Sequence, residues 1–225
     1  MIALDLPAGG QAPLSVLCLG AHADDIEIGC GGTLLRLLSE RADVHVTWVV
    51  FSGTGERASE AQAGAALFLE GAASRRVIVK DFRDGYFPWQ APEIKDYLES
   101  LKREVDPDLI FTHFRDDRHQ DHRTISDLTW NTWRRHMVLE YEIPKYDGDL
   151  GRPNCFVPLP PAICERKAAL ICEVFRSEAH KAWLTQDTFE ALLRLRGIEC
   201  AAPEQRAEAF HCRKMILGFA SGSAR

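Results

Sequence analysis

Apolar and polar positions follow two alternating patterns from residue 14 to about residue 140. Short apolar runs rich in β-branched and aromatic residues predict buried strands at 14–19, 44–51, 77–79, 108–112 and 138–141. Between them, apolar residues recur at helical spacing and predict helices at 31–40, 59–69, 92–103 and 123–135. This alternation predicts an α/β fold, a three-layer α/β/α arrangement in which helices cover both faces of a mainly parallel sheet.

The pattern changes after residue 142, where Pro, Gly and Asp become frequent through residue 161. We expect a long structured loop with a strand near 155–158, followed by helices at 165–175 and 188–197. Segment 204–219 fits a helix or a strand, and the pattern does not decide. We expect one domain over residues 1–225, with an α/β core at 14–142 and a C-terminal part, 143–225, that borders the active-site crevice.

Composition and charge limit the classes of partner and the cellular compartment that the sequence favours. The net charge of −6 comes from interspersed acids and bases, which disfavours nucleic acid or an anionic membrane as partner and favours a small-molecule substrate. The N-terminus lacks the cationic and apolar regions of a signal peptide, and no apolar run is long enough to span a membrane. The seven cysteines show no C-x-x-C pairing, so we expect free thiols and a cytoplasmic protein.

Two clusters of histidines and carboxylates carry the candidate chemistry, and each follows a predicted strand. The first is Ala21-His22-Ala23-Asp24-Asp25-Ile26-Glu27, and the second runs from His113 to His122. If the strand order is 3-2-1-4-5, the strands before the clusters are neighbours at the point where strand order reverses. The clusters then meet in one crevice and predict a single divalent-metal site.

His22, Asp25 and His122 are the predicted ligands. A His-Asp-His set leaves positions open for water and substrate, which is typical of catalytic zinc and also suits iron(II). The alternative is a helix cap beside a core histidine.

Other members of the clusters have roles beside the metal. Asp24 is a candidate general base, with helix capping as the alternative. A protonated His119 could stabilise an oxyanion or protonate a leaving amine, and Asp121 could orient a histidine. Glu27 fits either a role behind the ligands or the helix dipole, and the sequence leaves both open.

Further residues are less distinctive. His113 ends a strand and stays ambiguous, while Asp116 and Asp117 are assigned to the turn. Arg57 and Glu60 fit either the crevice wall or an exposed pair at a helix start. The glycines after Glu27 do not form G-x-G-x-x-G, which disfavours a dinucleotide-binding oxidoreductase.

Taken together, these motifs resemble the LmbE-like, or PIG-L, family of zinc-dependent de-N-acetylases. The family typically shows Pro-His-Pro-Asp-Asp-x-Glu and His-Pro-Asp-His, matched here by the first cluster and by His119-Gln120-Asp121-His122. Ala21, Ala23 and Gln120 stand where the family has proline, which affects the rigidity of the turns but removes no ligand. The resemblance covers residues 14–130 well and the rest loosely.

The resemblance implies a Rossmann-like fold, with zinc on His22, Asp25 and His122, Asp24 as base, and His119 as electrostatic or acid partner. Substrate-binding positions of the family correspond to Arg57, Glu60 and Asp84.

The predicted activity is removal of an acetyl or similar acyl group from an N-acetylglucosamine-type sugar. The alternatives are a same-fold amidase of thiol-sugar conjugates and a catalytically silent sugar-binding protein. Trp130 and Trp133, on one predicted helix, fit either a homo-oligomer interface or the core.

Overall fold

The computed structural model describes residues 13–216, and within them one sheet has the order β3-β2-β1-β4-β5-β7-β6. Five strands are parallel, and the last two pair antiparallel. The parallel strands are β1 (Leu14–Gly20), β2 (Val44–Val50), β3 (Ser74–Val79), β4 (Leu109–His113) and β5 (Met137–Tyr141). The antiparallel strands are β6 (Cys155–Pro158) and β7 (Ala207–Cys212).

Helices cover both faces of the sheet and produce two apolar layers. The helices are α1 (Asp25–Glu40), α2 (Gly55–Phe68), α3 (Ala91–Glu104), α4 (Gln120–Thr132), α5 (Pro161–Val174) and α6 (Gln186–Glu199). In β1, Val16 and Cys18 pack in the layer with α1, α2 and α5, whereas Leu17 and Leu19 pack in the layer with α3 and α4. Both faces of β1 are therefore buried, as expected for a central parallel strand. The predicted α/β class is confirmed, and the five parallel strands have the order 3-2-1-4-5 on which the prediction of a single crevice depended.

Strands β1 and β4 are neighbours, and the chain leaves them toward opposite layers. The loops after these strands therefore border the crevice where ligands bind in open α/β sheets. This arrangement places the two His/Asp clusters at the same edge of the sheet.

Several boundaries differ from the sequence-based expectation. Helix α1 begins at Asp25 rather than at residue 31, although glycines disfavour helix in isolation. Gly29 lies against Tyr141, and a Cβ there would overlap the ring, so tertiary packing explains this glycine. Helix α4 begins at Gln120, which puts the end of the second cluster in its first turn.

The C-terminal part contributes to the sheet. The undecided segment forms strand β7, which covers the free edge of β5, and the strand expected near 155–158 is β6. Residues 1–12, where the sequence predicts no signal peptide, and 217–219 of the undecided segment lie outside the described residues. Between residues 13 and 216, none of the helices has the length and apolarity to cross a bilayer.

Candidate metal centre

The first loop turns sharply between β1 and α1. The backbone N–H of His22 donates to Asp25 Oδ2 over 2.6 Å, which fixes both side chains on the same turn. Asp24 and Asp25 are buried. The backbone N–H of Ala21 donates to His113 Nε2 over 2.9 Å, a bond that the proline typical of this motif could not make.

The second loop joins β4 to α4. His119 caps α4, with its Nδ1 accepting from the backbone N–H of Asp121 over 3.3 Å. His122, in the first turn of α4, is buried and reaches the first loop.

The ligand atoms of the three predicted ligands converge. His22 Nδ1 lies 3.2 Å from His122 Nε2. Asp25 Oδ2 lies 3.4 Å from His22 Nδ1, and Asp25 Oδ1 lies 3.4 Å from His122 Nε2. Ligand atoms at zinc bond lengths in a tetrahedral site are roughly 3.3–3.5 Å apart. The donor set therefore fits a small divalent cation.

The other nitrogen of each histidine faces a carboxylate. His22 Nε2 lies 3.1 Å from Asp84 Oδ1 and 3.3 Å from Asp121 Oδ2, while His122 Nδ1 lies 2.9 Å from Asp117 Oδ2. Metal-binding histidines commonly donate their second ring N–H to such a partner, which fixes tautomer and ring orientation. Asp121 itself is held by the backbone N–H groups of Gly85 and Phe87, over 2.6 and 3.0 Å.

Electrostatics favours the same set. Burial opposes ionisation of Asp25, but the charges and hydrogen bonds of His122 and His113 together outweigh burial and hold the pKa of Asp25 well below its usual range. Burial likewise opposes the charged form of His122, yet the carboxylates of Asp25 and Asp117 raise its pKa. Asp25 is therefore an anion placed between imidazoles, the charge state in which a carboxylate can bind a divalent cation.

His113 is close to the ligands, but its chemistry differs. Its Nε2 lies 3.3 Å from Asp25 Oδ2 and accepts the hydrogen bond from Ala21, so its lone pair is occupied. Burial lowers the pKa of His113 to about 4, so it is neutral at pH 7. We therefore place His113 behind Asp25 rather than among the ligands.

His119 also stands beside the ligands. One nitrogen of its ring lies within 4.8 Å of nitrogens of His22 and His122. Burial and then the charge of His122 lower the pKa of His119 to about 4, so the ring is neutral at pH 7. Since Nδ1 accepts from the α4 backbone, the proton is on Nε2, and His119 offers an N–H donor rather than a positive charge.

Asp24 lies beside Arg57. Arg57 Nη2 is 3.2 Å from Asp24 Oδ1. Burial raises the pKa of Asp24, and Arg57 only partly offsets this effect. A base with a raised pKa transfers protons more effectively near neutral pH.

Glu60 and Glu27 contact other parts of the fold rather than the three predicted ligands. Glu60 accepts from the backbone N–H and the hydroxyl of Ser177, over 2.8 and 2.6 Å, and Arg57 Nη1 lies 3.5 Å away. Glu60 thus ties α2 to the segment after α5, while Arg57 faces Asp24 and Asp84 faces His22. Glu27 is fully buried beside Gly64, and burial raises its pKa well above its usual value.

Sequence reasoning missed Asp117 and Lys145. Asp117 does serve the turn, because its Oδ1 accepts from the backbone N–H of His119 over 2.7 Å, but its Oδ2 also lies 2.9 Å from His122 Nδ1 and 2.9 Å from Lys145 Nζ. A usable signal was the expectation that each ligand histidine has its own carboxylate partner. Lys145 lies in the loop after β5 and carried no signal in the sequence.

A family model described as GlcNAc-PI de-N-acetylase, PIG-L, matches residues 17–133. This range contains both loops of the candidate centre. An Escherichia coli K12 protein described as an uncharacterized deacetylase, YaiS, is 29% identical over 141 residues, which cover 57% of this chain and 74% of that protein.

Solved structures share the fold. The N,N'-diacetylchitobiose deacetylase of Pyrococcus horikoshii is 21% identical with a TM-score of 0.70, covering 92% of this chain and 86% of that chain. GalB, the 4-carboxy-2-hydroxymuconate hydratase of Pseudomonas putida KT2440, is 18% identical with a TM-score of 0.74, covering 92% and 99%. At these identities the likeness establishes the architecture, and the chemistry has to be argued from the site.

Proposed function

The chain belongs to the PIG-L family, and from this premise we propose that it is a metal-dependent amide hydrolase that removes an N-acetyl or similar acyl group from an N-acetylglucosamine-type sugar or its glycoconjugate. The observation that carries the proposal is the convergence of His22, Asp25 and His122, with a carboxylate behind each histidine. The description of the E. coli relative as a deacetylase supports it.

We propose zinc as the resident metal, held by His22, Asp25 and His122, with iron(II) as the alternative that suits the same donors. The metal, when bound, supplies Lewis acidity that lowers the pKa of water and polarises a carbonyl oxygen. The protein's contribution is the preset position of the three donor atoms.

Asp24 is the proposed general base. It takes a proton from the attacking water as the new C–O bond forms, and it returns this proton to the amide nitrogen as the C–N bond breaks. The second proton of the water leaves the new carboxyl group for the released amine, so the products are acetate and the ammonium form of the amino sugar, and protons and bonds balance. Arg57 holds the carboxylate of Asp24 in place.

His119 is the proposed oxyanion donor. Its Nε2–H can donate to the oxygen that becomes negative in the tetrahedral intermediate. A fixed neutral donor needs no change of protonation during the reaction. Asp121 orients His22, and it is held by the loop that carries Asp84. We propose Asp84 and Arg57 as sugar-binding residues, and Glu60 as the residue that positions Arg57.

The proposal also covers the domain organisation, the cellular compartment and the oligomeric state. We propose one domain in which 143–225 borders the crevice, supported by the Glu60–Ser177 bonds. A cytoplasmic location is supported by the seven cysteines, each of which is free in the structure. Homo-oligomerisation remains a prediction: Trp133 packs in the core, and only Trp130 is left half-buried.

The test is metal analysis of protein purified without chelator, combined with acetate release from N-acetylated sugars. We expect about one zinc or iron per chain. We also expect activity that a chelator abolishes and that added metal restores. A chain that binds a sugar but neither retains metal nor releases acetate would be the silent binding protein. Preference for a thiol-sugar amide would favour the amidase alternative.

A further inference from the structure

The loop after β3 brings an aromatic pair to the entrance of the candidate centre. Asp84, on this loop, reaches His22, and the backbone N–H groups of Gly85 and Phe87 donate to Asp121. The base of the loop is closed by Gln90, whose amide exchanges two hydrogen bonds with the Arg83 backbone, over 3.2 and 3.1 Å. The loop is therefore held in place by the same carboxylate that orients a ligand histidine.

Tyr86 and Trp89 project from this fixed loop, and we call the two residues the aromatic rim. Their ring centroids are 5.7 Å apart, and their exposed fractions are 43% and 73%. Neither ring belongs to the apolar clusters of the core, unlike Phe87 between them, which is fully buried. Packing of the fold thus does not account for the aromatic rim.

The strongly exposed aromatic side chains lie on loops at the edge of the sheet that carries the candidate centre. Among residues 13–216, the strongly exposed aromatic side chains are Tyr86, Trp89 and Tyr146. Tyr146 lies on the loop after β5, next to Lys145, which contacts Asp117. Both loops leave parallel strands at the edge where the candidate centre lies. Tyr and Trp combine apolar area with few rotatable bonds, so they serve as rigid contact surfaces for ligands.

We propose that the aromatic rim is a specificity-determining subsite, on which the sugar ring next to the N-acylated ring stacks when the substrate is an oligosaccharide or glycoside. This inference rests on the proposed function and adds two residues that select among its substrates. A pyranose presents an apolar face of C–H groups that stacks on an aromatic ring, and its rim of hydroxyls needs polar partners.

The polar partners are on the same loop. The Asp84 side chain is 73% exposed, so it can accept from sugar hydroxyls while it faces His22. The Arg83 guanidinium lies 3.6 Å from the Tyr86 ring centroid, so it covers one face of Tyr86 and places donor groups at the rim, while the more exposed Trp89 offers the larger stacking surface. Aromatic rings between charged hydrogen-bonding groups suit a sugar better than a lipid chain, which would favour aliphatic residues.

The experiment compares acetate release from N,N'-diacetylchitobiose and from N-acetylglucosamine. In Trp89→Ala we expect the KM for the disaccharide to rise about tenfold, because a stacking surface is lost, with kcat nearly unchanged. The monosaccharide parameters should stay within about twofold. Trp89→Tyr should retain most of the disaccharide preference, and Leu195→Ala, which removes an exposed apolar side chain on α6, is the matched control.

Three results would overturn the subsite. The first is an equal loss on both sugars, because the loop would then act on the chemical step. The second is no loss on either sugar. The third is a parent dimer that becomes a monomer in Trp89→Ala on size-exclusion chromatography, since the aromatic rim would then contact a second copy of the chain.

Failure of the proposed function has a separate readout. Calorimetric titration with the unacetylated disaccharide of glucosamine measures the aromatic rim without turnover. If the parent releases no acetate yet binds this disaccharide, and Trp89→Ala weakens binding about tenfold, the hydrolase proposal falls and the subsite stands. If the parent does not bind it, the subsite is wrong even where acetate is released.

Discussion

Helix α1 is buried against two charged clusters that differ in how their polar atoms are satisfied. Beside its middle lies the Lys167–Glu208 pair, with Nζ and Oε1 2.6 Å apart and both side chains buried. Lys167 also donates to the carbonyl of Ile28 over 2.6 Å, and Glu208 accepts from the backbone N–H groups of Gly32 and Thr33, over 2.7 and 2.6 Å. Both charged groups therefore have protein partners, and we call Lys167 and Glu208 the closed pair.

The cluster at the N-terminal end of α1, which we call the open cluster, includes polar atoms without a protein partner among the described residues. His113 Nδ1 and both carboxylate oxygens of Glu27 have no hydrogen-bond partner among the described residues. The side-chain nitrogen and oxygen atoms of His22, Asp25 and His122 converge, with separations of 3.2 to 3.4 Å. A buried pair whose charges are satisfied by the protein fits a structural role, whereas buried donor atoms that converge on one point are typical of a functional site.

His122→Ala gives the largest effect expected at the open cluster. Loss of one of the three proposed ligands should remove the metal and lower kcat at least about a thousandfold. Metal analysis and acetate release check both. His45→Ala, which changes an exposed histidine in β2, should leave both unchanged. A metal-loaded, active His122→Ala variant would refute the ligand assignment.

Asp24→Asn separates chemistry from metal binding. The amide keeps the shape of the side chain but cannot take a proton, so kcat should fall roughly 10²–10⁴-fold with metal content unchanged. Single-turnover acetate release is the measurement. Parent-like kcat would rule out Asp24 as the base.

Lys167→Met tests the closed pair. Removal of one partner leaves a buried carboxylate without its cation, which should lower the free energy of unfolding by about 3–5 kcal/mol. Urea unfolding measures this, and metal content of the folded protein should be unchanged. Arg166→Met, in the neighbouring exposed pair with Glu70, should cost less than about 1 kcal/mol. Equal midpoints for the two variants would contradict the distinction between the clusters.

Asp117→Asn should give the smallest effect. Weaker support of His122 should lower metal affinity roughly 10–100-fold while leaving about one metal per chain at saturation. Competition with a chelator of known affinity measures the change. The matched control is Asp116→Asn, because Asp116 is the exposed neighbour on the same turn. An equal loss in both variants would mean that the turn, rather than the bond to His122, is responsible.

The sequence alone was enough to predict the alternation of strands and helices, and it allowed the order of the five parallel strands to be chosen as a working hypothesis. Local periodicity reports burial directly, and rules on connections leave few topologies for such an alternation. The same reasoning placed His22, Asp25 and His122 in one crevice, since the ends of adjacent strands must meet. Residues with the right chemistry at strand ends could therefore be chosen without coordinates.

Only the tertiary structure separated residues that look alike in sequence. Asp116 and Asp117 are neighbours of one type, yet only Asp117 points at His122. The role of His113, which the sequence leaves ambiguous, follows from the hydrogen bond that its Nε2 accepts from the backbone N–H of Ala21. Segment 207–212 became a strand because β5 offered a free edge. Trp89 is exposed and Trp133 is buried. Each outcome depends on atoms brought together from distant parts of the chain, which local sequence patterns do not encode.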